Sequence, residues 1–203
     1  MKKCFYILAA AIFLLSCGTK KTTGDSIQNN NTDTTNATDT AVSFFPVTSF
    51  IKGQMLQFDS MAITPLRIST VHNKADSQWI KREELKPLLQ SFLTPEINEK
   101  NLIKYFRESK FNDQTLGAVT LAYDPITTLP DSISLTTWNV YVDPKKGSVI
   151  KVYIVKHITE NGQDITQQLI WQTGQFAQIT EIVNKSDGNS EIVKQDKFIW
   201  NFD

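Results

Sequence analysis

From about residue 103 onward, apolar and polar residues alternate with a period of two, and this alternation constrains the fold more than any other feature. Such a period places successive side chains on opposite faces of a β-strand. Turn sequences separate several of the alternating runs, and short turns join antiparallel neighbours. We therefore expect an antiparallel β-meander. Its predicted strands are 103–111, 116–123, 134–142, 149–157, 165–172, 176–183 and 197–202.

The segment upstream of the meander predicts helices. Apolar residues recur there at i, i+3, i+4 and i+7, the spacing of one helix face, at Leu85, Leu88, Leu89 and Phe92. This pattern predicts a helix at 83–93, and a second helix is expected to begin at Pro46. A short strand is expected at 65–71. The predicted fold class is therefore α+β, with N-terminal helices packed on one face of a curved antiparallel β-meander, in a single domain at 44–203.

The predicted central strands are partly apolar on both faces. Within 148–155, one face is predicted to carry Ile150, Val152 and Ile154, and the other to carry Val149, Lys151, Tyr153 and Val155. Helices can cover only one face of such a sheet. We expect the second face to close on itself, to bind something or to dimerise.

The N-terminus has the features of an export signal. Two lysines precede the 11-residue apolar run Phe5–Leu15, which as a helix would span about 17 Å, well short of the roughly 30 Å core of a bilayer. Ser16-Cys17 resembles the lipobox of bacterial lipoproteins. The resemblance implies a signal peptide at 1–16 and lipidation of Cys17, which anchors the chain in a membrane through several acyl chains. An ordinary signal peptide with an incidental cysteine is the alternative.

Residues 17–43 differ in composition from the rest of the chain. They are rich in Thr, Asn and Asp, carry few apolar side chains, and are expected to form a disordered tether behind the lipidated cysteine. Cleavage would remove Lys2 and Lys3, leaving 19 basic against 21 acidic residues. This balance provides no basic field that would hold a nucleic acid, so we expect none as a partner.

Three triplets in the tether, each beginning with an aspartate, resemble the D-(S/T)-(A/I/L/V/M/T) acceptor of a general O-glycosylation system found in some Gram-negative bacteria. The resemblance implies possible glycosylation of Ser26, Thr34 and Thr40. The alternative is that a linker rich in Thr and Asp produces such triplets by composition alone.

Four further motifs resemble a family of uncharacterised bacterial envelope lipoproteins: Phe45-Pro46-Val47, Trp79-Ile80-Lys81-Arg82-Glu83, Phe92-Leu93-Thr94-Pro95 and Trp138-Asn139-Val140-Tyr141-Val142-Asp143. The resemblance implies an envelope lipoprotein without an assigned activity. Gly18 follows the cysteine, so the usual inner-membrane retention residue, Asp, is missing. By analogy we expect an outer-membrane location, with the domain facing the periplasm.

No catalytic or metal-binding motif is recognisable in the sequence. His72 and His157 lie far apart and lack the spacing of a metal site. The predicted domain has no cysteine, no G-x-S-x-G elbow and no glycine-rich phosphate loop. We therefore predict neither a catalytic residue nor a metal nor a cofactor, and we expect a protein that is not an enzyme.

Among the four tryptophans, Trp171 is the candidate for ligand or partner contact, because it ends a predicted strand just before a hairpin turn. The leading hypothesis is a membrane-tethered periplasmic protein that binds an unknown envelope protein or an apolar ligand. One alternative is a carrier or acceptor of lipids or lipoproteins, which would need a continuous apolar cavity. Another is a hydrolase with a dispersed site.

Overall fold

The structure, a computed structural model, describes residues 44–202 and is predominantly β. Strands account for 48% of these residues and helices for 16%. Nine strands form one antiparallel sheet. In chain order they are β1 Leu66–Val71, β2 Lys74–Trp79, β3 Phe106–Asp113, β4 Ala118–Pro125, β5 Leu135–Val142, β6 Val149–Glu160, β7 Gln163–Gln172, β8 Phe176–Asn184 and β9 Ser190–Ile199.

Strands β3 to β9 lie side by side in their chain order, each antiparallel to the next. The β1–β2 hairpin precedes them in the chain, yet β1 pairs with β9. The order across the sheet is therefore β2-β1-β9-β8-β7-β6-β5-β4-β3. Within the described residues, β2 and β3 form the two edges.

The helical segments are short. They are α1 Val47–Gln57, α2 Arg82–Leu88, a 3₁₀ turn at Gln90–Phe92 and α3 Glu99–Leu102. Among the helices of residues 44–202, none has the length and apolar character needed to cross a bilayer.

This architecture shows that the predicted α+β class, with a layer of N-terminal helices on the meander, is wrong. The β1–β2 hairpin interrupts the helical segments, and the helical residues are too few to form such a layer. The helix expected at 83–93 ends at Leu88 and gives way to the 3₁₀ turn. Pro87 lies inside α2 and weakens it, because proline lacks the N–H that would bond the carbonyl of Glu83 four residues earlier.

The hydrophobic core lies against one face of the sheet, which we call the inner face. Trp138 and Trp171 are fully buried there. Tyr123 stacks on Trp138, with ring centroids 4.5 Å apart. Trp171 contacts Phe58, just after α1, and Phe92 of the 3₁₀ turn, at centroid distances of 6.2 and 5.4 Å. Large aromatic side chains thus fill the space above the inner face.

Candidate interaction surface

The opposite face of the sheet carries three rows of outward side chains, which we call the open sheet face. Paired residues on neighbouring strands point to the same face, so the register defines each row. The first row crosses all nine strands, as Phe111, Thr120, Tyr141, Lys151, Gln172, Phe176, Ile199, Leu66 and Trp79. Neighbouring strands lie about 4.8 Å apart, so this row is about 38 Å long.

The second and third rows are richer in amide and hydroxyl side chains. The second row is Ser109, Ala122, Asn139, Tyr153, Ile170, Gln178, Lys197, Ile68 and Ser77. The third is Thr137, Val155, Gln168, Thr180, Gln195, Thr70 and Ala75. Most of these side chains are half-buried by their neighbours and retain access to solvent. The face therefore grades from aromatic to rich in hydroxyl and amide groups.

Two lysines on this face lie over aromatic rings. The ammonium of Lys151 is 4.0 Å from the ring centroid of Tyr141, and that of Lys197 is 4.1 Å from the ring centroid of Phe176. A cation over a ring at an exposed site contributes about 0.5–1 kcal/mol. These contacts hold the two ammonium groups against the sheet without neutralising them.

The central part of the open sheet face carries positive charge only. In the three rows across β5 to β9 and β1, the charged residues are Lys151 and Lys197, and no position is Asp or Glu. Among the ion pairs of residues 44–202, neither lysine takes part. Partial burial raises the pKa of the neighbouring Tyr153 hydroxyl, so that group stays neutral.

An exposed aromatic pair marks the β2 end of the first row. Trp79 is 62% exposed and Phe202 is 61% exposed, with their ring centroids 5.8 Å apart. Trp79 also lines an open cleft of about 570 Å³ together with Met61, Lys81 and Arg82. Sequence reasoning missed Trp79 as a surface residue, because the polar strand that carries it has no hydrophobic alternation.

The structure corrects the expectation for Trp171. Its side chain is fully buried, with Trp200 at a centroid distance of 5.3 Å as a further aromatic neighbour. The residue lies one position before the end of β7, next to a hairpin turn, but it points to the inner face. It cannot contact a ligand or partner there without opening the core.

Four of the predicted sites lie outside the described residues. They are the lipidation site Cys17 and the possible glycosylation sites Ser26, Thr34 and Thr40.

The two histidines occupy separate places. His72 has a positive φ of 45° in the turn between β1 and β2. His157 lies in β6, and its Nε2 is 2.8 Å from an Oδ1 of Asp164 on β7, with both side chains about half exposed. The acidic partner was missed because the two residues meet only through the β6–β7 register. In residues 44–202, no cluster of three His, Cys, Asp or Glu side chains could hold a metal ion.

A buried lysine lies on the inner face beside the 3₁₀ turn. Lys156 is 4% exposed, and its ammonium donates a hydrogen bond to the carbonyl oxygen of Ser91. Burial lowers its pKa to about 8. The Ser91 hydroxyl is also buried and lacks a hydrogen-bond partner among the described residues. The lysine thus contacts the backbone of Ser91, which is not the arrangement of a serine nucleophile and its base.

The lipid-carrier alternative needs an enclosed apolar cavity, and the inner face offers a filled core in that place. The clefts found on the described domain have volumes of about 330 to 570 Å³ and open to solvent. The one beside Lys156, of about 410 Å³, is lined by both polar and apolar residues, among them Thr94, Ser134 and Gln167.

Comparison with known proteins finds no family model, no curated protein and no solved structure that matches this chain. The open sheet face therefore has to be interpreted from its own chemistry.

Proposed function

We propose that this protein is a lipoprotein anchored in the bacterial outer membrane, and that its domain is a non-enzymatic binding module facing the periplasm. The domain would hold another molecule of the cell envelope against the open sheet face. The anchor rests on the apolar run Phe5–Leu15 and on the lipobox at Cys17.

The observation that carries the binding role is the chemistry of the open sheet face. Exposed or half-exposed aromatic side chains stand in its first row, and hydroxyl and amide side chains make up most of the rows beside it. Two lysines stand in its centre without a carboxylate near them in the rows. Aromatic rings that are grouped on one face and half exposed to water are typical of a surface that contacts another molecule. A domain tethered in the cell envelope would meet such molecules there.

Lysine reactivity in isolated cell envelopes tests this role. An amine-reactive acetylating reagent is applied to envelopes and to the purified full-length lipoprotein, and peptide mass spectrometry reports the rate at each lysine. If a partner covers the open sheet face, Lys151 and Lys197 react more slowly in envelopes than in the purified protein. Lys52 on α1 and Lys110 on the β3 edge are exposed and lie off this face, so they serve as controls. Equal rates at all four lysines would contradict the binding role.

Fractionation of cells tests the anchor separately. A Cys17→Ser chain should leave the membrane fraction or accumulate with its signal peptide uncleaved. A mature-sized Cys17→Ser protein that still sediments with membranes would contradict the lipoprotein assignment. Digestion of the domain by protease added to intact cells would contradict the periplasmic orientation.

A further inference from the structure

The spacing of the two lysines on the open sheet face limits what can lie on it. Lys151 is on β6 and Lys197 is on β9, three strands away. At about 4.8 Å per strand spacing, the two positions lie about 14 Å apart across the sheet. An extended ligand that runs across the strands would meet both ammonium groups if it carries negative charges along its length.

The side chains around the lysines suit a hydroxyl-rich ligand. Asn139, Gln172 and Gln178 each provide an amide, which can donate and accept hydrogen bonds at once. Tyr153 adds a neutral hydroxyl, and the exposed ring of Trp79 adds an aromatic surface at the β2 end of the first row. A sugar unit needs this combination, because it presents hydroxyl groups at its rim and C–H groups on its ring faces.

The same composition is less suited to a protein partner. The centres of protein interfaces are depleted in lysine and exclude water, whereas lysines stand at the centre of this face. A peptide that added itself to the sheet would pair with the backbone of an edge strand, and the open sheet face lies away from that backbone edge.

From this geometry we infer that the open sheet face binds an extended acidic polysaccharide lying across the strands, with its acidic groups at Lys151 and Lys197. The inference rests on the proposed binding function and specifies the ligand class. Amides of the first and second rows pair with the sugar hydroxyls. The exposed ring of Trp79, at the β2 end of the first row, supports a further sugar ring.

Titration calorimetry of the full-length lipoprotein in detergent, at 150 mM salt, tests this ligand class. The probe is polygalacturonate, with uncharged dextran and with polyglutamate of matched chain length as comparison ligands. We expect binding of polygalacturonate, with weaker binding of the other two, because dextran lacks the charge and polyglutamate lacks the sugar rings. The salt concentration screens attraction between charges that are not in contact.

Paired variants of equal charge separate the face from bulk electrostatics. Lys151→Gln/Lys197→Gln removes both charge-assisted contacts and should weaken polygalacturonate binding by at least about tenfold. Lys52→Gln/Lys110→Gln removes the same charge elsewhere and should change the affinity less than about twofold. Gln178→Glu, which places a carboxylate in the second row directly opposite Lys197, should also weaken binding.

Three results would overturn the inference. They are an absence of polygalacturonate binding by the parent protein, equal weakening by the two lysine pairs, and equal affinity for polyglutamate. Protection of Lys151 and Lys197 in envelopes, combined with any of these results, would leave the binding function standing and assign the face to another class of ligand. Loss of that protection would remove the proposed function itself.

Discussion

The ammonium of Lys156 donates a hydrogen bond to the carbonyl oxygen of Ser91, so that a lysine inside the protein ties the sheet to the 3₁₀ turn. Gln167 and Glu181 lie further along the same row of the inner face, with their side chains 3.5 Å apart. Glu181 in turn lies 4.0 Å from the ammonium of Lys194. Lys156 therefore has a backbone acceptor in direct contact and a carboxylate only further along the row.

Burial of Lys156 predicts a rise in stability as the pH increases from about 8 towards 10.5. Its pKa is about 8 in the folded protein and 10.5 in the reference state, so in this window the unfolded chain binds the proton that the folded protein has released. Stability rises with pH wherever the unfolded state binds more protons. The full change is about 3 kcal/mol, and denaturant unfolding between pH 7 and 9.5 measures most of it.

Lys156→Met should flatten this profile and should be at least as stable as the parent at pH 7, because it removes the cost of a buried charge. The exposed Lys52→Met variant should retain the parent profile. The measurement stops at pH 9.5 because burial also raises the pKa of Tyr123, which makes stability fall again at higher pH. A parent profile that is flat over pH 7–9.5 would contradict the assignment to Lys156.

The sequence predicts the strands that alternate clearly and misses those that do not. β5 and β8 match their predicted ranges within one residue. β2, whose sequence is Lys-Ala-Asp-Ser-Gln-Trp, is exposed throughout and has no hydrophobic pattern to read. The β6–β7 hairpin extends past the core to an Asn161-Gly162 turn, where polar residues on both strands hide the alternation.

β-bulges limit how far alternation assigns a side chain to a face. Strict alternation along β5 would place Leu135 and Trp138 on different faces of the sheet. Both are fully buried on the inner face, because the register shifts between Leu135 and Thr137. A second shift, between Tyr141 and Val142, turns Val149 inward. Each bulge adds one unpaired residue, which composition does not reveal. The open sheet face likewise could not be assembled from the sequence, since its rows depend on the register of nine strands.

Leu89→Ala should destabilise the domain by about 2–5 kcal/mol, since it deletes a fully buried side chain and leaves a cavity in the core. Thermal unfolding followed by circular dichroism measures the loss. Gln90→Ala, at the exposed neighbouring position, should cost less than about 0.5 kcal/mol. If Gln90→Ala unfolded the domain while Leu89→Ala melted like the parent, the placement of Leu89 in the core would be wrong.

Glycosylation of the tether predicts a mass difference between two native chains. In a host with the glycosylation system, Ser26, Thr34 and Thr40 should carry glycan that the triple variant Asp25→Ala/Asp33→Ala/Asp39→Ala lacks. Intact-mass spectrometry of both proteins measures the difference. Equal masses of the two proteins, after correction for the three substitutions, would show that the tether is not glycosylated. The melting temperature should not change, because the composition of this segment predicts a disordered tether outside the folded domain.

The ion pair between Arg67 and Asp196 should hold the β1–β2 hairpin against β9. The guanidinium makes a bidentate contact, with Nη2 at 2.9 and 3.1 Å from the two carboxylate oxygens, and Asp196 is 5% exposed. Arg67→Met should cost about 1–3 kcal/mol, because the buried Asp196 carboxylate loses its hydrogen-bonded partner and keeps only Lys194 at 3.5 Å. Replacing both residues, as Arg67→Met/Asp196→Leu, should cost much less than the sum of the single changes.

Urea unfolding of the four proteins in this double-mutant cycle measures the coupling between the two side chains. The exposed pair Lys185–Glu191, 2.7 Å apart in the β8–β9 turn region, provides the control. Its coupling should be below about 1 kcal/mol, because water screens both charges. A coupling for Arg67–Asp196 no larger than that of the exposed pair would mean that backbone pairing between β1 and β9 alone secures the hairpin. If backbone pairing alone secures the hairpin, Arg67→Met should leave hydrogen exchange in β1 and β2 unchanged. If the ion pair clamps the hairpin, Arg67→Met should increase hydrogen exchange in these two strands first.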